Sequence, residues 1–443
     1  MFKTILQSVG VSLSSVGFGF LLSILLARFL GPEARGIYGS ILTITILIAG
    51  LSQLGLAQGY VYHRRKSGLN GLSVLIKSCC LLAFTAMGLL IITQQFFLLE
   101  VLTPYLLLIV LLSLISSFHS FFQNSAQIDQ QLHYYNILKI TLPLLNILAV
   151  VAFYLVFGEL TIFAAVSILI LTTLVSALVL GGHVIYREFN EHKVNTSLNN
   201  SCEKPVLLFS RIWGYSSKIY GTATIGIFIN SIDKIVLLGL GTMKEFGLYS
   251  VAYGLSRLIG IIPETLSTVI YARFAGKNET ELAQVVKRIF AVLFMPLMSL
   301  CLLLSLIATW LIAWLFGDDY QAAGLPFIIL LFEAVISSLG WFLSQRFNAA
   351  GRPGLVFFRQ VISIIPLLLI IVYPFEADLL VVVSSALLIS ALLRLLITLV
   401  LYKKVLKESA PRLYPSKAEV CDLLNLILLK KTPLNKAKEN NVS

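Results

Sequence analysis

The sequence predicts an all-α polytopic membrane protein of about twelve transmembrane helices, in two parallel-repeat six-helix bundles around a central cavity. Three observations predict it. Apolar stretches long enough to cross a bilayer recur along the chain. The segments joining them alternate between basic and acidic. One short motif returns about halfway along.

The hydropathy comes first. Of 443 residues, 58% are hydrophobic and only 12% charged, where soluble domains carry roughly 25% charged residues. A water-soluble fold cannot hide that much apolar surface. Stretches of about 18 residues span a hydrocarbon core of about 30 Å only as helices, because the backbone must satisfy its own hydrogen bonds in lipid.

The stretch at 5–30 follows only Met1 to Thr4 and is too long for a signal peptide; without a small-residue cleavage site it reads as a retained helix. The turn "LGPEAR" ends it, and Gly36 opens the next stretch, 36–62. Stretches at 72–93, 101–123, 137–157 and 160–182 complete a first bundle, residues 1–182. A polar connection, 183–211, contains "HVIYREFNEHKVNTSLNNSCEKP" and reads as a cytoplasmic linker. Stretches at 212–240, 247–271, 286–315, 325–345, 355–374 and 378–402 form a second bundle, 212–402. A basic tail, 403–443, follows; within it Val420, Leu423, Leu424 and Ile427 share one helical face, open to two readings: a helix on the membrane surface or a disordered basic tail.

Charge fixes the orientation. The linker-side segments, the two tails and the adjoining helix ends hold 26 of the 33 Lys and Arg residues. The opposite segments hold Arg28, Arg35 and Lys244 beside eight acids, among them Glu33, Asp318 and Asp319. This alternation is the positive-inside pattern, with both termini cytoplasmic. The net charge of +12 therefore reflects topology and attraction to anionic lipid, and nucleic acid is not a partner. The five cysteines and five histidines show no metal-ligand or disulfide spacing. No phosphate-cradling Gly-rich loop with a lysine is present, so the chain encodes no ATP engine.

The repeat organises the helices. "FLGPEARGIYGS" at 29–40 returns as "LGTMKEFGLYSV" at 240–251, so that Gly36 matches Gly247 and Tyr38 matches Tyr249 at an offset of 211 residues. An even number of spans separates the copies, which makes them parallel repeats. The first copy reads as a turn on the outer face, with Glu33 and Arg35 solvated and away from any cargo.

These residues carry a resemblance. "LLARFLGPEARGIYGSI", followed by "GLAQGYVYHRR", resembles the opening of polysaccharide and O-antigen flippases of the Wzx type. That family belongs to the group that also holds MATE-type multidrug extruders and the lipid II flippase. "NSIDKIVLLGLGTMKEFGLYSVAYGLSRLI" is similar to the family's seventh and eighth helices, with its Asp at Asp233. "NAAGRPGLVFFRQVISIIP" resembles its tenth loop and eleventh helix, whereas "YPFEADLLVVVSSALL" departs from the Gly- and Ala-rich start of the last helix.

The resemblance implies a non-enzymatic flippase. Its cargo would be polyprenyl-pyrophosphate-linked oligosaccharide, the repeat unit of O-antigen, capsule or exopolysaccharide, crossing the bacterial inner membrane by alternating access. It implies membrane lipids and the polysaccharide polymerase and chain-length machinery as partners, Na⁺ or H⁺ as coupling ion, and no cofactor. The alternative is a MATE-like cation-coupled exporter of small molecules. A membrane-bound polymerase or transferase ranks below both, because the outer segments are too short for a catalytic loop.

Ionisable groups at membrane depth are costly and face a cavity or a partner. Here they are Lys218, Asp233, Lys234, Arg257, Glu264, Glu333 and Arg394. The four cations are candidates to hold an anionic head group, and arginine's planar fork suits phosphate. The carboxylates Glu264, Asp233 and Glu333 are candidates to bind a coupling ion or to pair with the bases. Arg257 and Glu264 lie about 20° apart on one helical projection, and Pro263 predicts a kink beside them. Glu333, Ser337, Gly340 and Ser344 share one face of their span. Ser113, Ser117, Ser120, Asn124 and Gln127 form a second polar stripe, open to two readings: close helix packing or a watery groove.

Overall fold

The computed structural model describes residues 2–57, 59–61, 72–96, 100–126, 133–197, 213, 216, 220, 224, 226–274, 279–349, 352–372, 378–409 and 411–414. The described residues are helical, with no strand among them. In chain order the helices are α1 (Phe2–Ser52), α2 (Leu72–Phe96), α3 (Leu106–Ser125), α4 (His133–Phe157), α5 (Ile162–Ser197), α6 (Ile232–Leu240) and α7 (Met243–Arg257). They continue as α8 (Ile261–Phe274), α9 (Glu279–Leu306), α10 (Ala308–Phe316), α11 (Gly324–Ala349), α12 (Pro353–Ile362), α13 (Ile365–Val372) and α14 (Leu379–Lys404).

Ten helical segments among the described residues are long and apolar enough to cross a membrane. They cover eleven of the twelve stretches read from the sequence, because one segment, Leu13–Ser52, contains two of them. The twelfth, 212–240, is described only in part. The chain is an all-α, multi-pass membrane protein. Its helix exteriors carry apolar side chains where a soluble protein carries charge: Phe84, Leu155, Leu306 and Val372 are all more than 70% exposed.

Two boundaries differ from the sequence reading. The first two stretches are joined in α1, whose axis breaks at Gly31 (φ 74°, ψ 172°) just before Pro32. Only glycine adopts that backbone easily, and the proline lacks the N–H needed to continue the ladder. At its far end α5 continues to Ser197, well past 182, because 183–197 contains no proline or glycine to stop it.

The chain divides into two compact units. One comprises Met1–Leu255, Thr309–Gly324 and Ile370–Val383; the other comprises Ser256–Ala308, Leu325–Leu369 and Ser384–Ser443. In the first unit α3 lies along α5, and α1 packs against α2, α3, α4 and α5. Ser117 of the α3 stripe sits in a packing contact with α1, while Gln127 at the end of the stripe lies outside the described residues. Ser52 donates to Ser117 Oγ at 3.0 Å, and the Gln53 amide donates to the Ser117 carbonyl at 2.9 Å. Near one end of this unit Tyr60 donates to the buried Glu188 at 2.5 Å. Leu56, Val74, Leu82, Phe121 and Leu180 form an apolar cluster around Tyr60.

The two copies of the repeated motif meet in this unit. A methyl group added at Gly36 would stand 1.7 Å from the Met243 carbonyl oxygen, and one added at Gly247 would stand 1.9 Å from that of Pro32. The α1 and α7 backbones are therefore in direct contact, which only glycine permits. Beside them, Arg28 donates to the carbonyls of Leu315, at 2.8 Å, and Trp314. Tyr320 donates to the Ala27 carbonyl at 3.1 Å.

In the second unit α11 is the buried centre. Leu330, Leu331, Val335, Leu339, Phe342 and Phe347 are all almost fully buried. Tyr402 of α14 donates to the Leu343 carbonyl at 2.9 Å, and Ser390 donates to the Ser363 carbonyl at 2.5 Å. Glu408, just past α14, receives Lys287 at 2.9 Å and Arg346 at 3.1 Å.

Candidate functional site

The second unit gathers intramembrane charge on one carboxylate. Glu333 is fully buried on α11. Its Oε2 receives Arg257 Nη2 at 2.8 Å, and its Oε1 lies 3.5 Å from Arg394 Nη2. Arg394 also donates to Ser337 Oγ at 3.3 Å, one helical turn beyond Glu333. The face read from the sequence as Glu333, Ser337 and Gly340 is thus the face that holds arginines.

Each arginine is brought there by local structure. Pro263 has no N–H for the Ile259 carbonyl, and the helix breaks as expected: a 3₁₀ turn, Leu258–Gly260, separates α7 from α8. Gly260 packs against Ser338 and keeps this turn close to α11. Arg257, the last residue of α7, reaches Glu333. The break also removes the single-helix relation on which the 20° offset between Arg257 and Glu264 rested. Glu264 lies on α8, exposed, and stays within electrostatic reach of both Arg257 and Glu333. Arg394 comes from the middle of α14.

Arg359 is a third cation, which sequence reasoning missed. It is almost fully buried, and its Nη1 donates to the Gly340 carbonyl at 2.9 Å and to Thr398 Oγ1 at 2.8 Å. Thr398 in turn donates to the Arg394 carbonyl at 2.6 Å. Position 359 is close enough to a helix start to be counted with the loop charges. The one available signal was its lone place in an apolar run, "LVFFRQVISII".

The arrangement is a buried carboxylate clamped by two guanidiniums, with a third guanidinium behind one of them. Arg257 keeps 30% of its side chain exposed and Arg394 15%, against 1% for Glu333. The cations therefore offer surface to a ligand, while the acid is enclosed.

The remaining sequence candidates lie elsewhere. Lys218 falls outside the described residues. Asp233 and Lys234 are on α6, in the first unit. Asp233 is buried and accepts from Tyr249, the tyrosine of the second motif copy, at 2.5 Å. Lys234 places its ammonium 4.4 Å above the Tyr253 ring, a cation–π contact. Lys234 also lines a cavity of about 160 Å³ together with Arg35.

Arg35 corrects the sequence reading. Glu33 is exposed as expected, but Arg35 is buried, with 8% of its surface accessible. The Gly36–Gly247 approach is the physical reason, since it draws the following turn of α1 against α7 and takes the neighbouring side chain inside.

An all-helical chain of apolar, membrane-length helices shares its fold with solved membrane transporters. The lipid II flippase MurJ in an inward closed conformation shares the fold with a TM-score of 0.70 and 13% identity, over 97% of this chain and 93% of that one. An inward-facing multidrug resistance MATE family transporter of the MOP superfamily gives 0.63 and 16%, over 90% and 96%. A MOP superfamily transporter from Pyrococcus furiosus, described as having a binding pocket of reversed polarity, gives 0.51 and 16%, over 92% and 97%. No curated protein matches the chain. Residues 25–324 match the model of the polysaccharide biosynthesis protein family, and the chain belongs to that family. It is a polysaccharide-synthesis-family protein with a transporter fold similar to that of MurJ and the MATE exporters, as its sequence resemblance implied.

Proposed function

We propose that the protein is a flippase. It carries polyprenyl-pyrophosphate-linked oligosaccharide, the repeat unit of O-antigen, capsule or exopolysaccharide, across the bacterial inner membrane by alternating access, and it performs no covalent chemistry. Both termini face the cytoplasm, in keeping with the charge alternation.

The observation that carries this reading is the gathering of guanidiniums at Glu333. Arg257 and Arg394 both reach that acid, at 2.8 and 3.5 Å, and both retain exposed surface. A pyrophosphate head group is an anion that arginine forks bind well. When it arrives, Arg257 and Arg394 exchange part of their contact with Glu333 for phosphate oxygens, and Glu333 takes them back on release. That exchange offsets the cost of holding bare cations in an apolar surround. Lys218 is a further candidate cation for the head group. Asp233 and Glu264 serve a coupling Na⁺ or H⁺. Membrane lipids surround the protein, and the polysaccharide polymerase and chain-length machinery act on its product.

Complementation of a strain that lacks its own flippase tests this. Arg257→Ala, and to a lesser degree Lys218→Ala, abolish surface polysaccharide while the protein still inserts. Arg257→Lys recovers part of the activity. Normal polymer with both alanine variants defeats the assignment, and drug efflux by the wild type without polymer export favours the multidrug alternative.

A further inference from the structure

A second cationic site stands apart from the Glu333 cluster, in the first unit. Arg35 of α1 and Lys234 of α6 both line the cavity of about 160 Å³. None of its lining residues is acidic; the others are glycine, hydroxyl-bearing, aromatic and aliphatic side chains. At a liquid share of about 30 Å³ per molecule, the cavity has room for about five waters, and so for an anion of five heavy atoms.

Arg35 is held from one side only. Its Nη2 donates to Ser23 Oγ at 3.1 Å, and its guanidinium lies 5.2 Å from the centre of the Tyr38 ring. Its Nε and Nη1 are enclosed without a hydrogen-bond partner among the described residues. Buried arginine nitrogens are normally satisfied, and a desolvated guanidinium without an acid is among the costliest groups a fold can carry.

No described cavity-lining residue supplies the missing acceptor. Thr43 and Ser250 donate their hydroxyl protons to the carbonyls of Gly39 and Gly247, both at 2.9 Å, and Tyr249 gives its own to Asp233, which holds these hydroxyls in place. On one side the lining ends in Ile46, which is 61% exposed, so the cavity reaches the surface of the unit. Arg28, about one turn before the kink at Gly31 and two turns before Arg35, bonds the α10 backbone beside the exposed, stacked Trp310 and Trp314. Exposed tryptophans of this kind sit at the level of lipid head groups.

We infer that the Arg35–Lys234 cavity binds a phosphate group. A tetrahedral oxyanion presents oxygens in several directions at once. Its charge answers both cations that line the cavity, Arg35 and Lys234. The site goes beyond the cargo-binding role proposed for Arg257 and Arg394 and shares no residue with the Glu333 cluster. The phosphate comes either from the head group of an anionic lipid entering past Ile46 or from free phosphate in solution.

The full chain in phosphatidylcholine nanodiscs distinguishes these sources. One arm titrates inorganic phosphate against chloride at constant ionic strength and follows the thermal unfolding midpoint. The other extracts the protein from vesicles of phosphatidylglycerol and phosphatidylcholine and measures the retained lipid by native mass spectrometry. Wild type is expected to show a saturable response in at least one arm. Arg35→Gln and Lys234→Gln each weaken that response at least tenfold, and Arg35→Lys restores part of it. Response to phosphate alone identifies a free-anion site, whereas selective retention of phosphatidylglycerol identifies a lipid site. No response from wild type in either arm, or an Arg35→Gln response equal to wild type, overturns the inference. If Arg35→Gln fails to fold, the same comparison with Lys234→Gln decides.

Discussion

Gly36 and Gly247, which occupy the same place in two copies of one motif, stand backbone against backbone. Each glycine's missing methyl would fall within 2 Å of a carbonyl oxygen belonging to the other copy. Neither carbonyl can move without shifting its helix. Gly36→Ala and Gly247→Ala should each destabilise the protein by at least the roughly 1–3 kcal/mol typical of overpacking. The double variant should cost less than the sum, since one separation of α1 from α7 relieves both clashes. Thermal unfolding of the three variants in one detergent checks this, and strict additivity would contradict it.

Glu333 supports two cations, so its loss should exceed the loss of either. Glu333→Gln leaves Arg257 and Arg394 facing a neutral amide. The expected destabilisation is about 3 kcal/mol, the lower end for breaking a buried pair, because both arginines keep some exposure. Adding Arg394→Gln should recover part of that loss. Denaturation of single and double variants measures the coupling, and a Glu333→Gln effect smaller than that of Arg394→Gln alone would refute the arrangement.

Tyr249 is the described hydrogen-bond donor to Asp233. Tyr249→Phe keeps the ring and removes the donor, leaving a buried carboxylate short of one bond at a cost of about 1–3 kcal/mol. Asp233→Asn in the Tyr249→Phe background should regain part of it, because a neutral amide is cheaper to bury than a carboxylate. Equal stability of wild type and Tyr249→Phe would show that the bond carries no weight.

Topology gives a fourth prediction. Reporter fusions after residues 200 and 410 should report the cytoplasm, and one after 318 the outside. The reversed pattern would invert the charge reading.

The helices were legible because apolar length and charge alternation are local properties. So was the equivalence of the two motif copies, since an offset of 211 residues pairs Gly36 with Gly247, but their direct contact was not. The pairing of Arg257 with Glu333 was not legible. Both residues stood out, and Arg257 was set beside Glu264, but nothing local to α7 pointed to its ion pair with Glu333 on α11. The 3₁₀ turn after Arg257 made the difference, and Pro263 hinted only at its position. Arg35 was misread because "GPEARG" has the composition of an exposed turn. Its burial depends on how closely two glycine backbones approach, which composition cannot express. Arg359 was hidden by its nearness to Arg352, among charges that orient the chain.

The reciprocity at the motif contact is what two identical subunits need to close on each other, residue i meeting j while j meets i. Here a single polypeptide meets that condition, and it is thereby released from a constraint that binds true dimers. A two-fold axis between identical chains sets like charge opposite like charge, so a cation beside the axis would face its own copy. In this chain the position equivalent to Arg35 is Phe246, and both line the same cavity. Joining the halves covalently lets one side carry charge and the other a ring, an asymmetry closed to any homodimer.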